Sequence, residues 1–471
     1  MDNLGSSSSR PLRIVIFPFL GFGFMLPDLE FAERLASRGH HVSFVSTSRN
    51  IARLPPVRPA AAPRLDLVAL PLPRVDGLGE AESTNEVHDE ILWNAFDGLA
   101  APFAEFLGAA CAGEGTRPDW IISDAFNHLA ATVGQQHKVP SVILLPSAAW
   151  IVSWWSDPTA SLFDQPAEER PADVPCYEWT QKAGFFAKRG RFGLSYAQRC
   201  TLTLECCTIT AMRSCPEWEP EAFPRVATLL GKPLVPLGLL PPSPDGGRRA
   251  ADDDAALRWL DAQPARSVLY VALGSEVPLR VELVHELALG LELAGTPFLW
   301  ALRKPSGVLD ADILPPGFHK HTDNNGFVAM QWVPQISILA HGAVGAFLTH
   351  CGRNSIAEGL LFGNPLIMLP IRGDQGSNAR FMEGTNKVGL QVPRDEDTGS
   401  FDRQGVAKTV RAVMLEEKTR SIFVANALKL KKEIVANKEL QERYVDEFSQ
   451  KLGSFTTNGN SNTAAPPPAD A

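Results

Sequence analysis

The 44 residues from Trp332 to Gln375 constrain this chain more than any other stretch. At their centre an apolar run, Val344 to Leu348, reads as a buried strand. It leads through His350-Cys351-Gly352 into a helix that starts near Asn354-Ser355. A glycine at such a turn lets the backbone approach a ligand, and the unpaired N–H groups of the helix start carry the positive end of its dipole. Together they form a cradle suited to a pyrophosphate. Glu358 lies one turn beyond Asn354, where its carboxylate can face the diol of a ribose. Trp332 offers a flat face for a base.

Strand, glycine and helix recur in any open α/β sheet, so the wider register matters. Trp332, Gln335, His350, Cys351, Gly352, Asn354, Ser355, Glu358, Pro365, Asp374 and Gln375 stand at the spacings of the signature box of plant family 1 UDP-glycosyltransferases, which this stretch resembles. The resemblance implies a GT-B fold, two doubly wound Rossmann-like α/β domains facing across a cleft. It also implies inverting transfer of a sugar from a UDP-sugar. The donor-binding set it implies is Ser275, Trp332, Val333, Gln335, His350, Gly352, Arg353, Asn354, Ser355, Glu358, Asp374 and Gln375. Ser275 enters because Gly274-Ser275, after a strand at Ser267–Leu273, resembles the family's other phosphate-contacting loop. Gln375 matches the ending associated with glucose, so UDP-glucose is the default donor.

With 471 residues the chain has room for two domains of roughly 200 each. A net charge of −9 argues against nucleic acid or an anionic membrane as partner. Seven cysteines, an odd number in a chain this long, do not form a disulfide framework, and C-x2-C pairs are absent. The apolar stretch after Arg13 is broken by Pro18, Gly21 and Gly23 and followed by acids, so no signal peptide is expected. No uninterrupted apolar run reaches membrane length, so we expect a cytosolic protein without a span.

Strand patterns at 13–18, 41–46, 65–70, 120–123 and 141–145 alternate with helical ones, including a helix from about Leu26 to Arg38. The expected division is an acceptor-binding domain over 1–238, a linker over 239–254 and a UDP-sugar-binding domain over 255–437. A final helix follows over 438–453, then a disordered tail over 454–471. Leu440, Tyr444, Phe448 and Leu452 stripe that helix, which in the family packs back on the N-terminal domain; packing on its own domain fits the periodicity equally. Residues 156–186 read as a long loop.

Gly21-Phe22-Gly23 invites comparison with a dinucleotide fingerprint, but Leu26 replaces the third glycine and the second strand ends without an acid. In the resembled family this loop instead carries a general-base histidine, oriented by an aspartate about a hundred residues later. Here the base position holds Phe24, while the aspartate is present as Asp124. Two readings stay open. Either the protein transfers sugar without that histidine, through Asp124, a water or an acidic acceptor, or it is an impaired homologue that binds sugar nucleotide or metabolite.

Arg353 stands where the family has tryptophan. A guanidinium there can pair with a carboxylate, as UDP-glucuronic acid would offer, clamp the pyrophosphate, or turn to solvent. Phe24, Trp93, Phe96, Trp150, Trp154 and Trp155 are candidates for an apolar acceptor pocket. The segments ALGSEVPL and ALGLELAGTPFLWALRKP resemble the clade that extends sugars on flavonoid or terpenoid glycosides. No metal or other cofactor is expected, and the acidic strings at Asp252–Asp254 and Asp395–Asp397 read as solvated loops.

Overall fold

Two all-parallel sheets organise the chain, and the reason lies in their strands, which are apolar on both faces. The structure is a computed structural model describing residues 10–75, 89–155, 174–187, 189, 192–243, 254–274, 279–304, 307–323 and 325–459. The first sheet comprises β1 (Arg13–Phe17), β2 (His41–Thr47), β3 (Leu65–Leu70), β4 (Trp120–Asp124), β5 (Ser141–Leu145), β6 (Ile209–Met212) and β7 (Leu234–Pro236). The second comprises β8 (Val268–Ala272), β9 (Phe298–Ala301), β10 (Gly326–Ala329), β11 (Val344–Thr349), β12 (Leu366–Met368) and β13 (Gly389–Gln391). Every residue of β4, β5, β8 and β11 is buried, as strands covered by helices on both sides must be. The short strands β6, β7, β12 and β13 gave no periodic signal because three or four residues cannot show one.

The strand orders are β3-β2-β1-β4-β5-β6-β7 and β10-β9-β8-β11-β12-β13. Each order reverses once near its middle, at β1/β4 and at β8/β11. In open α/β sheets the crevice at such a reversal, beyond the carboxyl ends of the strands, is where ligands bind. β8 and β11 lead there to Gly274 and His350, and β1 and β4 to Phe19 and Asp124.

Several boundaries differ from the sequence reading. The first helix spans Phe22–Ser37, so Gly23 and Phe24 sit in its opening turn instead of a loop, and Pro27 lies inside it. Part of the expected long loop is a helix, Cys176–Ala187, while residues 156–173 lie outside the described ones. The linker does not begin as a free strand of chain. Leu239 and Leu240 are buried, and both donate their N–H to Gln441 Oε1, at 2.9 and 3.3 Å.

The last helix runs over Lys438–Gly459, six residues past the expected end. Its apolar stripe serves both lobes. Leu440 and Tyr444 join the core of the second sheet, whereas Val445, Phe448 and Leu452 pack against the first helix and first sheet. Phe448 meets Phe31 at 5.2 Å, and Trp120 Nε1 donates to the Leu452 carbonyl at 3.2 Å. His40 Nδ1 accepts from Leu12 N–H, which leaves Nε2 to donate to Ser449 Oγ. One stretch, Ile91–Ala112, is long and apolar enough to cross a membrane by composition. It is two helices meeting at Leu99, and Trp93, Phe96, Leu99, Phe103 and Leu107 place its apolar side in the core of the first lobe.

Phe448→Ala removes a fully buried ring from the contact between the last helix and the first lobe. We expect a loss of about 3–5 kcal/mol in denaturant unfolding. A loss below about 1 kcal/mol would mean that the helix end does not hold the lobe.

Candidate active site at the facing crevices

The helix that opens the second crevice spans Arg353–Leu361, with Gly352 as N-cap and no side chain capping its first turn. The N–H groups of Arg353, Asn354 and Ser355 therefore lack intrahelical acceptors and can take a phosphate. The left-handed residue at the turn is Cys351, φ 65°, not the glycine. Asn378 Nδ2 holds this conformation by donating to the Cys351 carbonyl at 3.1 Å. Gly352 has ordinary dihedrals and is needed for a different reason. A Cβ on it would lie 2.6 Å from His350 Nε2, and one on Gly274 would lie 2.8 Å away. The imidazole is wedged between two glycines, and burial pushes its pKa down to about 4, so it is neutral at physiological pH. Its Nδ1 finds no partner among the described residues.

Glu358 projects from the same helix and accepts from Gln335 Nε2 at 2.5 Å. Gln335 Oε1 in turn accepts from the buried Tyr270 hydroxyl at 3.0 Å. Tyr270 is fixed on β8 by stacking on Phe347 of β11, with centroids 5.2 Å apart. This chain of contacts aims the carboxylate and brings the Trp332 segment alongside it. Trp332 is 64% exposed, far above the tryptophans of the core. Val333 leans on the second core and its carbonyl accepts the Gln335 N–H. Asp374 and Gln375 open the next helix, Gln375–Arg380, which Asn378 fastens to the Cys351 turn. The Gln375 carboxamide oxygen accepts from Ile371 and Arg372 N–H, leaving its NH2 for a sugar hydroxyl. Ser275 lies outside the described residues.

Two expected donor contacts are directed elsewhere. Asn354 Nδ2 donates to the Gly23 carbonyl at 3.0 Å and its Oδ1 accepts from Arg213. Its carboxamide thus joins the lobes, and what remains for a phosphate is its backbone N–H. Arg353 donates to the Arg213 carbonyl, so its head group is also turned to the first lobe rather than to a donor carboxylate. Arg213, which sequence reasoning missed because the four-residue β6 before it carries no pattern, is 8% exposed. Burial, and then the nearby Arg353, lower its pKa to about 9, opposed by Asp28 and Glu358.

Across the cleft, Phe24 packs edge-on to Phe19 and Phe126, at 5.7 and 5.2 Å. Trp93 and Phe96 share that cluster, but at 4% and 0% exposure they are core residues with almost no surface to offer an acceptor. Trp150 stands at the lobe boundary, its ring 6.3 Å from Phe381. The side chains of Trp154 and Trp155 lie outside the described residues. Asp124 is 1% exposed, and its two oxygens accept from the N–H groups of Phe19 and Phe126. It clips two loops together, while Asn127 caps the following helix. Burial lifts the Asp124 pKa to about 7 against those hydrogen bonds. Both oxygens of this carboxyl are thus committed to loop N–H groups, and the group is only partly ionised at neutral pH. The acidic strings also have local roles: Asp254 caps a helix, and Asp395 accepts from Asp397 and Thr398 N–H.

Two doubly wound lobes, with an uncapped helix start at the crevice of one and an aromatic cluster at the crevice of the other, define the GT-B glycosyltransferase fold. The family model for UDP-glucuronosyl and UDP-glucosyl transferases matches residues 245–431. The chain is 39% identical to UDP-glycosyltransferase 91B1 of Arabidopsis thaliana, over 94% of this chain and 97% of that protein. It is 32% identical to soyasaponin III rhamnosyltransferase of Glycine max, over 96% and 97% respectively. The solved Phytolacca americana UGT2, complexed with UDP-2-fluoro-glucose and pterostilbene, superposes with a TM-score of 0.74 at 25% identity, covering 94% of this chain and all of that one. The protein belongs to the UDP-glycosyltransferase family of plants.

The raised pKa of Asp124 has a definite sign. The folded state keeps a proton that the unfolded chain releases near its ordinary 3.8, so this contribution to stability is full below about pH 4 and is lost as pH rises through 7. Asp124→Asn leaves one loop N–H without an acceptor, costing about 1–3 kcal/mol at pH 5. Urea unfolding at pH 5 and pH 8 should show that cost shrinking at the higher pH. A cost that grows with pH would contradict the assignment.

Proposed function

We propose that this enzyme transfers a hexose from a UDP-sugar, with inversion, to a hydroxyl of a small plant glycoside with an apolar body, such as a flavonoid or terpenoid glycoside. Glucose is the default sugar. The hydrogen bond from Gln335 to Glu358 beside the exposed Trp332 carries the reading, since it assembles a base-stacking face and a ribose acceptor next to a helix start. In this scheme uracil stacks on Trp332, Glu358 accepts from the ribose, and the diphosphate lies on the N–H groups of residues 353–355. Neutral His350 donates to a phosphate oxygen. The acceptor oxygen forms its bond to the anomeric carbon from the face opposite the departing UDP, and the negative charge growing on UDP is met by the helix start. That stabilisation is our reason for proposing transfer without a metal. The free thiols of all seven cysteines support a cytosolic setting.

The acceptor proton has no side-chain base at position 24. Losing a general base costs about 10²–10⁴-fold, while positioning and electrostatic terms remain. We therefore infer slow transfer to aliphatic alcohols and faster transfer to acidic phenols, whose proton leaves without assistance. The second reading, a homologue that binds sugar nucleotide without turnover, is favoured by the packing of Phe24 into the aromatic cluster.

A donor panel of UDP-glucose, UDP-glucuronate and UDP-rhamnose against phenolic and alcoholic glycosides separates these readings; rhamnose is included because of the relative named for it. Phe24→His should raise turnover on an alcohol at least about tenfold. Undiminished wild-type turnover on alcohols with no gain from histidine would refute the missing-base argument. Trp332→Ala should weaken UDP binding, by calorimetry, about tenfold or more, the range of one lost base–aromatic stack. Unchanged affinity would remove the stacking role.

A further inference from the structure

The helix Cys176–Ala187 comes from the first half of the chain, between β5 and β6, yet it docks on the second lobe. Glu178 is 4% exposed and faces the Gln375–Arg380 helix. Its Oε2 and Oε1 receive Arg380 Nη1 and Nη2 at 2.8 and 3.1 Å, and Ser377 Oγ donates to Oε1 at 3.3 Å. The approach is so close that a Cβ on Gly376 would lie 2.3 Å from Glu178 Oε2. Next to it, the Tyr177 N–H donates to the Glu396 carbonyl at 3.1 Å, and the Arg394 guanidinium lies 4.7 Å from the Tyr177 ring. A Cβ on Gly399 would come within 2.7 Å of that ring. Two glycines on the second lobe are thus shaped to neighbouring residues of one first-half helix.

We propose that Glu178 is a positioning residue for the donor sugar. The proposal rests on the reading of Asp374 and Gln375 as the residues that meet the sugar. Gly376 follows Gln375 directly, so the carboxylate that presses on Gly376 and grips Ser377 and Arg380 sets the height and rotation of the turn carrying both. A bidentate pair to a guanidinium is directional, which suits it to fixing a short helix that no side chain caps. The base and ribose contacts proposed for Trp332, Gln335 and Glu358 lie outside this helix, while its Asn378 also holds the Cys351 turn of the phosphate cradle. Recognition of base and ribose is therefore separable from that of the sugar, and the chain half that holds the acceptor also tunes the sugar.

The test compares Glu178→Gln, which keeps shape and removes charge, with Gly376→Ala, which displaces the carboxylate while leaving Glu178 in place. Both should raise the KM for UDP-glucose about tenfold, the scale of one weakened charge-assisted hydrogen bond, and raise the Kd of UDP, whose base and ribose contacts lie outside this helix, by less than about threefold. In the wild type, UDP-glucose should slow amide exchange over residues 176–187 more than UDP does, a measurement that needs no variant. Parallel loss of UDP and UDP-glucose affinity, or equal protection by both ligands, would reduce Glu178 to a structural tie. Failure of the wild type to bind UDP at all would instead sink the donor reading itself.

Discussion

Pro27 has no N–H, so the carbonyl of Gly23, four residues earlier in the same helix, loses its intrahelical donor. Asn354 Nδ2 from the other lobe donates to that carbonyl at 3.0 Å. A proline in the first helix of one sheet thereby creates an acceptor for the second residue of the helix that opens the other. Arg213 and Arg353 reinforce the junction, each donating to the opposite lobe. The register of the two crevices depends on this junction, because both helix starts lie at the strand-order reversals of their sheets.

From that junction the rest follows by layers. Parallel strands require helices on both faces, and the helices bring their N-termini to the carboxyl edge of each sheet. Glycines at 274 and 352 leave space for His350, and the Tyr270–Gln335–Glu358 chain converts strand packing into the aim of a carboxylate. The last helix adds a second tie at the far side, dividing its stripe between the two cores. Two buried charged groups are met by neutral polar partners. Asp124 is held by two N–H groups and takes a proton near neutrality, and Arg213 is held by a carbonyl and a carboxamide.

The donor half was the more legible one. Trp332, Gln335, His350, Ser355 and Glu358 are close in sequence, on one strand–turn–helix unit and the segment before it. Helix and strand geometry alone places Glu358 within reach of Gln335 and His350 at the turn before Ser355. The acceptor half was legible as a fold but less so as a site. Trp93 and Phe96 have the same composition signal as a pocket wall, yet the helix that carries them turns both into the core. Glu178 was hidden in a segment without periodicity, and its partners are about two hundred residues away.

By itself the amino-acid order determined two parallel α/β lobes, a strand–turn–helix unit whose helix start has no side-chain cap, the spacing of Trp332 and Glu358 around it, and a phenylalanine at position 24. Those features depend on residue type and on contacts within a few turns of chain. Tertiary structure decided where the bifunctional side chains face: Asn354 and Arg353 toward the first lobe, Asp124 toward loop N–H groups, Glu178 onto Gly376. A carboxamide, guanidinium or carboxylate has partners available in several directions, and the surface packed opposite it selects among them.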